Sequence, residues 1–271
     1  MNRQKLFIQL IQYAGIVSLL LVSMTNYSQS VLAQLSHSDQ NIVSKPKSQF
    51  FAKLKFPPNG APTGRRRGGA GRNPDCPSSL TGLTALVPGE QGKSYLATTV
   101  AEHPTFWFYV PELPETARSA DFVLHLSENG RYVDNVYRSS LTLSGKPGII
   151  SITTPSQPQY ALKTNQEYHW YFEIYCGDRQ TTSDHVFVDG FVQKQMLPGI
   201  LDSESQTAES REYLTYSTNN IWHDGLTHLG QLRRANPQDA TINQDWVDLL
   251  NAVGLQDLAQ EPIVEHYNLD K

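Results

Sequence analysis

The chain has 271 residues, with 22 Lys and Arg against 26 Asp and Glu, a formal charge of −4. That mildly acidic balance excludes a general nucleic-acid binder, which needs basic surface to displace counterions from phosphate. The length allows one large or two small domains.

Residues 1–33 read as an export signal. Arg3 and Lys5 make a basic start, the apolar stretch is densest from Gly15 to Met24, and Val31-Leu32-Ala33 offers small residues for cleavage before Gln34. The competing reading is an uncleaved anchor, but the apolar core is shorter than the roughly 20 residues of a spanning helix. Cleavage removes two of the 22 basic residues and none of the 26 acidic ones, leaving −6. Residues 34–74 form a polar stretch passing into PPNGAPTGRRRGGAGRNP, which reads as a linker. Arg65, Arg66, Arg67 and Arg72 suit an anionic surface; the preferred reading is a solvated tether.

From 75 to 198 the pattern is strand, turn, strand. Runs of β-branched and aromatic residues fall at Leu83–Val87, Tyr95–Ala101, Thr105–Val110, Asp121–Ser127, Val133–Leu143, Ile149–Thr154, Glu167–Cys176 and His185–Gln193. Asn129-Gly130 is the clearest hairpin turn. In the run from Glu167, Tyr168, Trp170, Phe172, Ile174 and Cys176 alternate onto one apolar face, which predicts a core face. His169, Tyr171, Glu173 and Tyr175 are left on a wet or half-wet one. TFWFYV (Thr105–Val110) is aromatic on both faces, so it predicts a strand covered on both sides or at its edge. Leu162, six residues before Tyr168, resembles the tyrosine corner of immunoglobulin-like and fibronectin type III domains. The fold class this predicts is a mainly β, immunoglobulin or fibronectin-III-like sandwich.

Residues 199–271 change character. Trp222, Leu226, Leu229 and Leu232 recur at helical spacing up to Asn236-Pro237. Asp239 or Thr241 can cap a second helix bearing Trp246, Leu249, Leu250 and Val253 and ending near Gly254. The pair resembles one tetratricopeptide unit, too little for a solenoid, so a hairpin packed on the sandwich or on a partner is expected.

Cys76 and Cys176 are the two cysteines. In an exported chain the pair reads first as a disulfide, stabilising by about 4–5 kcal/mol in the chain-entropy model; two separate buried thiols are the alternative. Their spacing does not suit a metal.

Several blocks together resemble the exported cyanobacterial proteins catalogued as domain of unknown function 928. They are Cys76-Pro77, Leu83 to Pro88, Glu102 to Pro111 (EHPTFWFYVP), Pro147 to Ile152, Tyr168 to Phe172, and the stretch from Trp222 through Leu232-Arg233-Arg234 to Asn236-Pro237. The resemblance covers roughly residues 70 to 260. It implies export and this architecture, and it brings no catalytic residue.

No GxSxG, P-loop, GxGxxG or HExxH motif is present. His103, His125, His169, His185, His223, His228 and His266 are scattered, and Asp121/Glu128 and Glu173/Asp178 read as solvated pairs. Neither a cofactor nor a catalytic residue is expected. The aromatic surplus is the functional signal: Trp107, Tyr109, Tyr171 and Tyr175 are candidates for an exposed binding surface, or else lie beneath the hairpin or a neighbouring sheet. The expected function is a non-catalytic protein-interaction module of the cell envelope, periplasmic or secreted. The rival is a carbohydrate-binding module using Tyr171, Tyr175 and Trp107, and an enzyme of unrecognised type ranks third.

Overall fold

A computed structural model describes residues 62–69, 76–177, 184–196 and 212–270. The expected signal and its expected cleavage site, with Arg72 and Asp178, lie outside the described residues. No described helix is long and apolar enough to cross a membrane.

The chain is mainly β, with helices towards its C-terminus. The strands are β1 (Gly64–Arg65), β2 (Thr84–Ala85), β3 (Gly89–Glu90), β4 (Lys93–Ser94), β5 (Ala97–Thr99), β6 (Thr105–Val110), β7 (Ser119–Glu128), β8 (Arg131–Thr142), β9 (Gly148–Thr153), β10 (Glu167–Tyr175), β11 (His185–Lys194) and β12 (Ile263–Asn268). The helices are α1 (Glu212–Thr218), α2 (Trp222–Ala235) and α3 (Ala240–Ala252). One sheet runs β5-β11-β10-β7-β8 and a second β12-β9-β6-β2, while β1, β4 and β3 make a small third sheet.

The two larger sheets pack face to face, because period-two alternation gives each a dense apolar side. Phe106 and Phe108 of β6 meet Phe122 and Phe172 at ring distances of 5.0 and 4.5 Å, and Trp170 lies within 6 Å of both β6 rings. Gly190 stands opposite Trp170 on β11, and any Cβ there would overlap the indole. The Tyr168 hydroxyl accepts from the Lys163 backbone N–H (2.9 Å), over the buried Leu162. Cys76 and Cys176 are joined by a disulfide, Cα to Cα 4.7 Å.

The outer side of β6 is covered as well. Trp107 packs edge-on against Trp246 of α3 (6.0 Å), and its indole N–H donates to Thr227 of α2 (3.0 Å). Trp222, Leu226, Leu229, Leu249 and Leu250 complete this second apolar cluster over Leu86 and Ile149. Asp239 caps α3 by accepting from the backbone of Thr241 and Ile242, and Gly254 adopts φ +71° just past its end.

Two segments outside the expected strand pattern also join the fold. Residues 62–69 fall within the expected linker, yet they are docked on the domain. Arg66 is 3% exposed; it donates to the carbonyls of Gly89 (2.5 Å) and of Val253 at the C-terminal end of α3 (2.7 Å). A guanidinium placed there satisfies a helix-end carbonyl and the negative end of the dipole. Arg67 pairs with Asp257 (2.7 Å). The tail is also not wholly helical, since β12 joins the second sheet parallel to β9.

Candidate functional site

The first sheet turns its other face outward, and registry fixes what that face presents. Across β8, β7, β10 and β11 one row reads Asn135, His125, His169, Phe191; the next reads Arg138, Val123, Tyr171, Asp189; a third reads Ser140, Asp121, Glu173, Phe187. Strict alternation along β8 would not place residues 132, 135 and 138 on one face. Two register shifts do so. Val136 is the extra residue between Tyr137 and Asn135, and Val133 the extra one between Asp134 and Tyr132. Bulges of this kind re-aim side chains and are frequent beside functional sites.

The result is a groove of about 500 Å³ between the bulged strand and β10, with the buried Val123 in its wall. Tyr132, 64% exposed, stands at the β7–β8 end, which turns through Asn129 and Gly130 at positive φ. Its ring lies 5.0 Å from His125, which lies 5.7 Å from Tyr171. The Arg138 guanidinium donates to Glu173 (2.9 Å) and lies 3.3 Å from Asp121.

Tyr171 bonds to His169 Nδ1 (3.0 Å), and His169 Nε2 to Asp189 (2.7 Å). This chain fixes the His169 ring between Tyr171 and Phe191. Burial, then the Asp189 and Glu173 charges, pushes the Tyr171 phenol above its usual range, so it remains a donor. Burial, then the neighbouring His169, lowers the His125 imidazole. Among the described residues no three His, Cys, Asp or Glu side chains converge as metal ligands. The groove therefore offers flat rings flanked by fixed hydrogen-bonding groups.

The candidate surface residues separate. Tyr171 lies on the groove. Tyr175 shares its face but is buried, its hydroxyl donating to Asp121 (3.2 Å), the carboxylate beside Arg138. Trp107 is 3% exposed under α2 and α3 and presents no surface; Tyr109, half-buried, packs against the same helical cluster. Both point outward from β6, and the helices occupy that side. Reading residue types alone missed Tyr132, Asn135 and Arg138, because nothing in RYVDNVYRSSLT marks the two bulges.

A family model described as Domain of Unknown Function (DUF928) matches residues 67–263, which takes in the whole groove. The chain belongs to that DUF928 family. No curated protein matches it. In this DUF928 chain the matched span runs from Arg67, paired with Asp257 past the end of α3, to Ile263 at the start of β12.

Proposed function

We propose that the protein is an exported, non-catalytic carbohydrate-binding protein, with the outer face of the five-stranded sheet as its binding surface. The observation that carries this is the exposed Tyr132 ring, in line with His125 and Tyr171 beside Asn135, Arg138 and Glu173. Sugar rings stack their C–H faces on aromatic side chains, while polar neighbours bond the hydroxyls and fix orientation. Export is supported by the basic-then-apolar N-terminus and by the Cys76–Cys176 disulfide, which persists in an oxidising compartment.

An immunoglobulin-like sandwich is the finer fold reading. It is supported by the strand order, by β5 running parallel to β11 at the sheet edge, and by the Tyr168–Lys163 bond at the start of β10. The α2–α3 hairpin with its Asn236-Pro237 turn supports a single tetratricopeptide-like unit. Its apolar side faces the sheet, and the large exposed apolar residues described, Tyr132, Val133 and Met196, all lie elsewhere. A protein-docking role centred on the hairpin therefore has less support than a glycan role for the groove.

Affinity electrophoresis of the exported protein through gels containing envelope polysaccharide tests the proposal. Retardation is expected, with Tyr132→Ala weakening binding about tenfold, or ~1.4 kcal/mol. Equal mobility of both proteins at every polysaccharide concentration sinks it.

A further inference from the structure

The groove on the outer face of the five-stranded sheet has a charge balance of its own, and Arg138 is its informative group. The Nη2 of Arg138 donates to Glu173 (2.9 Å), and its Nε lies 3.3 Å from Asp121. Nε and Nη2 form one of the two edges by which a guanidinium grips an oxyanion bidentately, and two carboxylates already face it. The Asp121 side chain is fully buried and that of Glu173 is 15% exposed, so both act on Arg138 with little screening by water. One cation thus answers two anions.

The surrounding charges do not redress this. Glu167 accepts from the Ser127 hydroxyl (2.9 Å) and from the N–H of Gly130 in the groove wall (3.0 Å). Asp189 lies 2.7 Å from His169 Nε2, so even a protonated His169 would only cancel that carboxylate. Burial lowers the His125 imidazole, which therefore adds little charge at neutral pH. At the hairpin end Arg131 stands opposite Glu128 in the register. Arg65 lies 4.6 Å over the Phe187 ring on β11, away from the groove wall. Even with Arg65 counted beside Arg138, the carboxylates Asp121, Glu173 and Glu167 outnumber the guanidinium groups. No lysine lines the groove.

We infer that the groove takes uncharged sugar residues and rejects those bearing a carboxylate or a sulfate ester, with Asp121, Glu173 and Glu167 setting this selectivity. The inference rests on the glycan reading of the groove and narrows it to neutral segments of a polysaccharide. A uronate would enter a field of its own sign, and it would have to displace Glu173 and Asp121 to gain the Nε–Nη2 edge of Arg138. A sugar hydroxyl meets no such conflict. It can donate to Glu173 and accept from Arg138 Nη1 with the ion pair left intact.

The test is calorimetric titration of the full chain with oligosaccharides released from the producing cell's envelope polysaccharide. Three pools are used: a neutral one, a uronate-bearing one, and the latter after carbodiimide–borohydride reduction of its carboxylates to primary alcohols. The neutral and reduced pools are expected to bind at least about tenfold more tightly than the uronate pool. Uronate binding should also strengthen as salt rises from about 20 to about 300 mM, the sign of a screened repulsion. Glu173→Gln, which releases Arg138, should narrow the difference between the pools to less than about threefold. Uronate binding no weaker than that of its reduced form, uronate binding that weakens with salt, or unchanged discrimination by Glu173→Gln overturns the selectivity and leaves the glycan reading standing. No binding by any pool overturns the glycan reading, and the selectivity with it. Should Glu173→Gln fail to fold, the three pools and the salt dependence decide on wild type alone.

Discussion

Acid should destabilise this protein through His223. The folded imidazole on α2, buried edge-on against Phe106, is pushed down to about 4 by burial, from 6.5. The folded state therefore binds fewer protons than the unfolded one, and stability falls as pH drops from about 6.5 towards 4. The full difference of about 2.5 pH units corresponds to roughly 3 kcal/mol, and at pH 5 about 2 kcal/mol has been lost. His125 and His266 are lowered as well, both chiefly by burial, and act in the same direction. The diagnostic is therefore a difference: urea unfolding of wild type and His223→Phe at pH 7 and pH 5. Wild type should lose about 2 kcal/mol more than the variant over that step. Equal losses would show that the ring is solvated or already charged when folded, and would refute the burial argument.

Three further outcomes follow from the packing. Trp170→Ala removes the indole that both β6 phenylalanines contact, and should cost about 3–5 kcal/mol in chemical denaturation. The Cys76→Ser/Cys176→Ser double variant opens a link across 100 residues of sequence and should lose up to about 4–5 kcal/mol; an unchanged denaturation midpoint would deny it a stabilising role. Arg66→Met keeps the aliphatic stem but frees the Gly89 and Val253 carbonyls, so a loss of about 2–4 kcal/mol is expected, read as a drop in thermal midpoint.

Much of the fold is legible in the sequence where one local rule governs it. TFWFYV reads as a strand covered on both sides or at its edge, and β6 lies between β9 and β2 with rings on both faces buried. Asn129-Gly130 turns the longest hairpin, and Asp239 caps α3. What stays illegible depends on distant partners. Arg66 resembles any solvated arginine until the end of α3 is brought beside it from 187 positions away. Ile263–Asn268, with Glu265, His266 and Asn268 among its six residues, does not declare itself as a strand before β9 offers an edge. The groove is hidden for a related reason: Tyr132, Asn135 and Arg138 share a face only because Val133 and Val136 bulge, and that shift is a property of the β7–β8 pair. Tyr175, on the expected face, is buried by its own partners, Asp121 among them.

The measurement that tests the central claim most directly is chemical-shift mapping of the full chain with oligosaccharides released from the producing cell's own envelope polysaccharide. The account predicts saturable changes confined to the face carrying Tyr132, His125, Asn135, Arg138 and Tyr171. Changes clustered on α1–α3, or none at saturating oligosaccharide, would contradict it.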